Sequence, residues 1–82
     1  MSLDHGVELK VGDLVQATWG FNLYLCEEFP KTLRDIEKRY IGRNVTGIVL
    51  KEKKGILIRL YIDSQSGWAD YVMFERIGEG TR

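Results

Sequence analysis

The sequence predicts a mainly β fold: a small, five-stranded, strongly bent antiparallel barrel with one short α-helix between about residues 32 and 40. Three observations lead there. Residues 44–77 read as three consecutive strands with almost nothing between them, which is the pattern of a meander. A glycine, Gly47, sits in mid-strand, where it marks sharp curvature or close backbone approach. The chain has 82 residues, enough for one domain and one core. A meander must curl to bury its apolar face, and closure into a small barrel achieves this.

The elements follow in order. Residues 1–10 are expected to be flexible at first and then extended, and Val11-Gly12-Asp13 to turn. Residues 14–19 form the first strand, with Val15, Ala17 and Trp19 on one face and Leu14, Gln16 and Thr18 on the other. Residues 20–28 are almost all apolar and alternate in a way that allows a strand. Two placements are open: an arm that packs on another subunit, or a bent continuation of the first strand into its own core. Phe29-Pro30 breaks the pattern. Thr32 and Asp35 then have capping-box spacing, and Leu33, Ile36 and Tyr40 fall on one helical stripe, with Gly42 as a C′ residue.

The second strand, residues 44–52, sets Val45, Gly47 and Val49 against Thr46, Ile48 and Leu50. Lys53-Lys54-Gly55 turns into the third strand, residues 56–63. Its inward row is Ile56, Ile58, Leu60 and Ile62, and Leu57, Arg59, Tyr61 and Asp63 face out. Residues 64–67 make the next turn, 68–74 the fourth strand, 75–77 a short closing strand, and 78–82 a flexible tail.

Composition narrows the function classes. The hydrophobic share of 44% is that of a globular chain. Twelve basic and twelve acidic residues cancel, which argues against a whole-molecule polyelectrolyte but allows a local basic patch. No apolar run reaches the length of a membrane span, and the N-terminus lacks the segments of a secretory signal. One cysteine, Cys26, and one histidine, His5, do not make a closed zinc site, and no acidic spacing proposes another metal. Neither has a nucleophile–base partner in sequence. Cys26 reads as a buried small hydrophobe and His5 as exposed and idle. No cofactor and no enzymatic activity are expected, and the cytoplasm is the expected compartment.

Two groups of residues point to binding instead. Lys51, Lys53, Lys54 and Arg59 cluster on and around one hairpin, where they face phosphate or simply solvate the tip and guard an edge. Tyr61 and Tyr71 look outward and offer stacking faces to bases; Trp19 and Trp68 read as structural. The apolar Phe21, Leu23, Tyr24, Leu25, Phe29 and Leu57, together with the two tyrosines, exceed what a barrel this small can cover. Pairing with copies of the chain would cover them.

From the helix onward the chain resembles Sm-like proteins, more particularly the small ones of marine phage character. Gly42-Arg43-Asn44-Val45-Thr46-Gly47-Ile48-Val49 looks like the first Sm motif, a Gly-Arg pair before a strand with a central glycine. Arg76-Ile77-Gly78 looks like the Arg-Gly of the second motif, with Ile77 intruding. The resemblance covers roughly residues 32–80. Where the family carries its RNA-contacting residues, this chain has Glu52-Lys53-Lys54-Gly55, so uridine-type recognition does not transfer. The expected first strand also precedes the helix, which an SH3-like barrel with an insertion between its first two strands accommodates equally well.

The resemblance implies a non-catalytic protein that binds single-stranded RNA or DNA as a closed ring of about five to seven identical subunits. Lys51, Lys53, Lys54, Arg59 and Arg76 would meet phosphate, in the host cytoplasm if the gene is a phage's. The SH3-like alternative implies a protein-interaction or phage-assembly adaptor, working through residues 21–29 and the helix.

Overall fold

The computed structural model describes residues 9–77. Seven strands form one antiparallel sheet: β1 (Leu14–Ala17), β2 (Phe21–Tyr24), β3 (Lys38–Ile41), β4 (Thr46–Lys54), β5 (Leu57–Ile62), β6 (Gln65–Asp70) and β7 (Phe74–Arg76). Their order across the sheet is β3-β2-β6-β5-β4-β1-β7. The mainly β class is therefore as expected. The five-stranded closed barrel is not: two further strands, β2 and β3, extend the sheet, and its ends are open. The sheet coils strongly nonetheless. Phe21 of β2 and Phe74 of β7 stand near opposite ends of the order, yet their rings meet edge to face at 4.8 Å.

The expected helix at residues 32–40 is absent. Thr32 Oγ1 accepts a hydrogen bond from the Arg34 amide at 3.3 Å, which closes a local turn and no more. Lys38–Ile41 instead pairs with β2, from Phe21↔Ile41 to Tyr24↔Lys38. The stripe that suggested a helix finds no cover in the core: Leu33 and Tyr40 face solvent and Ile36 is only half-buried, while the neighbouring Ile41 enters the core. A short isolated helix is marginal, and β2 supplied a better partner for this segment. Gly42 leads into a turn whose left-handed residue is Asn44, φ 71°.

The segment 20–28 takes neither placement in full. Its first half is a strand in the chain's own core, as the bent-continuation reading had it in part, but it hydrogen-bonds to β3 and β6. The core gathers Val15, Ala17, Phe21, Leu23, Ile41, Val49, Ile58, Leu60, Ile62, Ala69 and Phe74, with Leu9 tucked against them. Leu9 thus belongs to the fold. The remaining residues expected to be flexible, 1–8 with His5 and 78–82, lie outside the described residues.

Two glycines allow backbones to meet. A Cβ on Gly47 would lie 2.8 Å from Ile62 Cβ and from the Tyr61 carbonyl oxygen. A Cβ on Gly67 would lie 2.5 Å from the Tyr24 carbonyl oxygen and 2.9 Å from Leu23 Cγ. Gly67 is thus a crossing point inside β6, not the end of a turn. The β5–β6 turn is only Asp63-Ser64, both in the left-handed region at φ 56° and 67°, as a two-residue hairpin of this twist requires. Register shifts bend β4 between Val49 and Lys51 and again before Lys54.

Candidate functional site

The expected binding residues divide into four places. Lys53 and Lys54 stand at the β4–β5 turn, each held against an aromatic ring. The Lys53 ammonium lies 4.6 Å from the centre of Tyr71, and that of Lys54 4.9 Å from Phe29. Tyr71 is half-buried against the core and opens the 3-10 turn Tyr71–Met73, so it positions a cation more than it presents a free stacking face. Lys51 is exposed and pairs across the ladder with Arg59.

Arg59 itself is taken up by the fold. It donates to the Cys26 carbonyl at 2.7 Å and to Ser66 Oγ at 3.2 Å, and its guanidinium lies over Trp68. Arg76 is elsewhere, on β7, 3.5 Å from an Asp13 carboxylate oxygen. Tyr61 is exposed on the outer face of β5, in a cross-strand row with Leu14 and Ile48.

Of the expected association residues, Phe21, Leu23 and Leu57 are covered by the chain itself, at 4%, 0% and 4% exposure. Tyr24, Leu25 and Phe29 are half-buried. Leu57 shares the outer face of β5 with Arg59 by alternation. The β2–β3 connection lies over that face: Phe29 meets Trp68 edge-on at 5.3 Å, and Trp68 Nε1 donates to the Glu27 carbonyl at 3.4 Å. Cys26 lies in this connection, half-buried, and is not a core residue. Ile56, expected inward, belongs to the turn after Gly55 and is exposed.

The surface that is open to a ligand is one the sequence did not disclose. It starts at Ile56, whose carbonyl accepts from the Tyr71 amide at 3.0 Å. It continues along the 3-10 turn, where Asp70 caps the Val72 amide and leaves the Val72 side chain exposed. The Met73 carbonyl then accepts from both the amide and the hydroxyl of Thr18, at 2.8 and 3.1 Å, which brings Trp19 alongside. Beyond Trp19, the Tyr40 hydroxyl lies over Gly20. Ile56, Val72, Trp19 and Tyr40 are exposed by 59%, 55%, 62% and 69%, so each leaves an apolar or aromatic face open along this run. Lys53 stands at one end. At the other is exposed Arg43, next to Asn44, whose amide donates to the Ala17 carbonyl at 2.8 Å.

Trp19 was expected to be structural because it alternates with Val15 and Ala17. β1 ends at Ala17, and the alternation ends with it. Among the described residues no three His, Cys, Asp or Glu side chains gather as metal ligands, and no helix is long and apolar enough to cross a membrane. Comparison with family models, with curated proteins and with solved structures gives no match.

Proposed function

We propose that this chain is a non-catalytic binding module for single-stranded nucleic acid, and that the strand lies along the band from Lys53 to Tyr40. One observation carries the reading: the exposed aromatic rings Trp19 and Tyr40 lie between cations, Lys53 towards one end and Arg43 towards the other. Bases would stack on Trp19 and Tyr40, and Lys53, Lys54 and Arg43 would take phosphates. Stacking on an open ring accepts any base, so little sequence preference is expected. The strand succession β7-β1-β4-β5-β6, interrupted by the β2–β3 hairpin, resembles an SH3-like barrel with an insertion between its first two strands.

The test is a salt titration. With three phosphates neutralised, log affinity should fall against log salt with a slope of about −2. Reversing both lysines, Lys53→Glu with Lys54→Glu, should weaken every sequence alike, by more than about tenfold, and flatten the slope. Binding that ignores salt and the double change contradicts the reading. It would favour a second one, an extended peptide docking on Ile56 and Val72, to which the zero net charge lends support.

Self-association belongs to the same proposal, through surfaces other than those the sequence indicated. The outer row Leu14, Ile48 and Tyr61 is apolar and accessible, and the edges β3 and β7 are unpaired among the described residues. Copies joined edge to edge, head to tail, would close a ring. Sedimentation equilibrium should return the mass of several chains; a single-chain mass at every concentration would remove this part.

A further inference from the structure

The β2–β3 connection leaves an open groove of about 240 Å³ where it crosses the outer face of β5 and β6, lined by Leu25, Cys26, Glu27, Arg59, Gln65 and Ser66. Its polar atoms are already partly engaged, and the engagement has a direction. Two hydrogen bonds and the Trp68 ring fix the Arg59 guanidinium. A guanidinium carries five N–H donors, so donors remain. Ser66 Oγ accepts from Arg59, which frees its own proton for another acceptor. Gln65 Oε1 accepts from Arg39, so the amide nitrogen of Gln65 is turned away from that bond with both its hydrogens. Arginine, hydroxyl and amide therefore all have hydrogens to offer.

From this polarity we infer that the groove is a binding site for an oxyanion of the phosphate class, and that its source is the terminal phosphate of the bound strand. The choice of source rests on the function proposed above; the donor arrangement does not. Continuity with the Lys53–Lys54 tip supports that source. Lys54 lies on Phe29, Phe29 abuts Trp68, and Trp68 carries Arg59, so groove and tip adjoin through one stack. A strand anchored by its end phosphate at Arg59 would reach the lysines next. Glu27 is the one carboxylate in the lining and opposes an anion, which sets the affinity below that of an all-basic site.

The experiment is an NMR titration of the whole chain with inorganic phosphate, with chloride at matched ionic strength and acetate as controls. Phosphate is expected to shift the Arg59 and Trp68 side-chain N–H signals and the Ser66 amide saturably, with chloride inert and acetate weaker. Gln65→Glu keeps the acceptor for Arg39 but places a carboxylate in the groove, and Ser66→Ala removes a donor; both should abolish or strongly reduce the shifts. Glu27→Gln should strengthen phosphate binding about threefold. Arg59→Gln is the direct change, and the other variants keep the test valid if it does not fold.

Oligonucleotides ending in a phosphate should then bind about tenfold more tightly than those ending in hydroxyls, and Gln65→Glu should erase the difference. Shifts confined to the lysine tip, or none, overturn the site even if hydroxyl-ended strands bind. Phosphate binding in the groove without any oligonucleotide binding supports the site and overturns its assigned source. Acetate binding equal to phosphate, without a preference for phosphate ends, overturns the phosphate class in favour of a carboxylate.

Discussion

Gly67→Val is expected to destabilise the chain by about 3 kcal/mol or more, because overpacking a crossing point forces backbone as well as side chains to move. A first carbon at this position already lies 2.5 Å from the Tyr24 carbonyl oxygen, and two more would follow. A carbonyl in a paired strand cannot swing aside as the end of a side chain can. Tyr24↔Trp68 is the only paired position between β2 and β6, so the shift would release the β2–β3 hairpin. With it go Phe21 and Leu23, each worth about 1.5–3 kcal/mol when buried. A small domain has only about 5–15 kcal/mol in total. Urea unfolding should show a large drop in midpoint, and hydrogen exchange should quicken first in β2 and β3. An unfolding free energy within about 0.5 kcal/mol of the parent would contradict the crossing.

Removing the two exposed rings, Trp19→Ala with Tyr40→Ala, should have the largest effect on binding. Each stacked base is worth about 1–3 kcal/mol by alanine substitution, so the pair should lower affinity for single strands by roughly 30-fold to 10⁴-fold. Both side chains are more than half exposed, at 62% and 69%, so the unfolding midpoint should hardly move. That separation of effects distinguishes a binding surface from a structural one. Tyr71→Phe serves as a control, since it keeps the ring on which Lys53 rests and should leave affinity nearly unchanged. Loss of folding with loss of binding, or no loss of binding, would count against the band.

Much of the fold was legible because alternation is a direct record of burial. The rows Ile58–Leu60–Ile62 and Val15–Ala17 are core rows as the pattern says, and Gly47 marks a close approach as expected. The errors have physical causes. Thr32, Asp35 and a periodic stripe satisfy the local rules of a helix, but pairing with a strand distant in sequence decided the outcome, and local propensity does not contain that information. The decision was marked only by Tyr40-Ile41, residues that suit a strand as well as a helix stripe. Gly67 reads as a turn residue because crossing glycines and turn glycines look alike in sequence.

The site was less legible than the core. Lys53 and Tyr71 do come together, while Lys54 rests on Phe29, through a register that the turn at Gly55 and the bends in β4 set. Arg59 and Arg76 do not join them, because each guanidinium takes nearby acceptors: a carbonyl and a hydroxyl in one case, Asp13 in the other. Trp19 and Tyr40 were missed because they are 21 positions apart in the chain. Their shared surface exists only once β3 lies beside β2.

The most direct test of the proposed function is amide shift mapping of the whole chain with a mixed-sequence single-stranded oligonucleotide of about ten nucleotides at low salt. Saturable shifts are expected to run from Lys53 through Val72 and Trp19 to Tyr40 and to fade as salt rises. No shifts at low salt, or shifts that leave Trp19 and Tyr40 untouched, would contradict the proposed function.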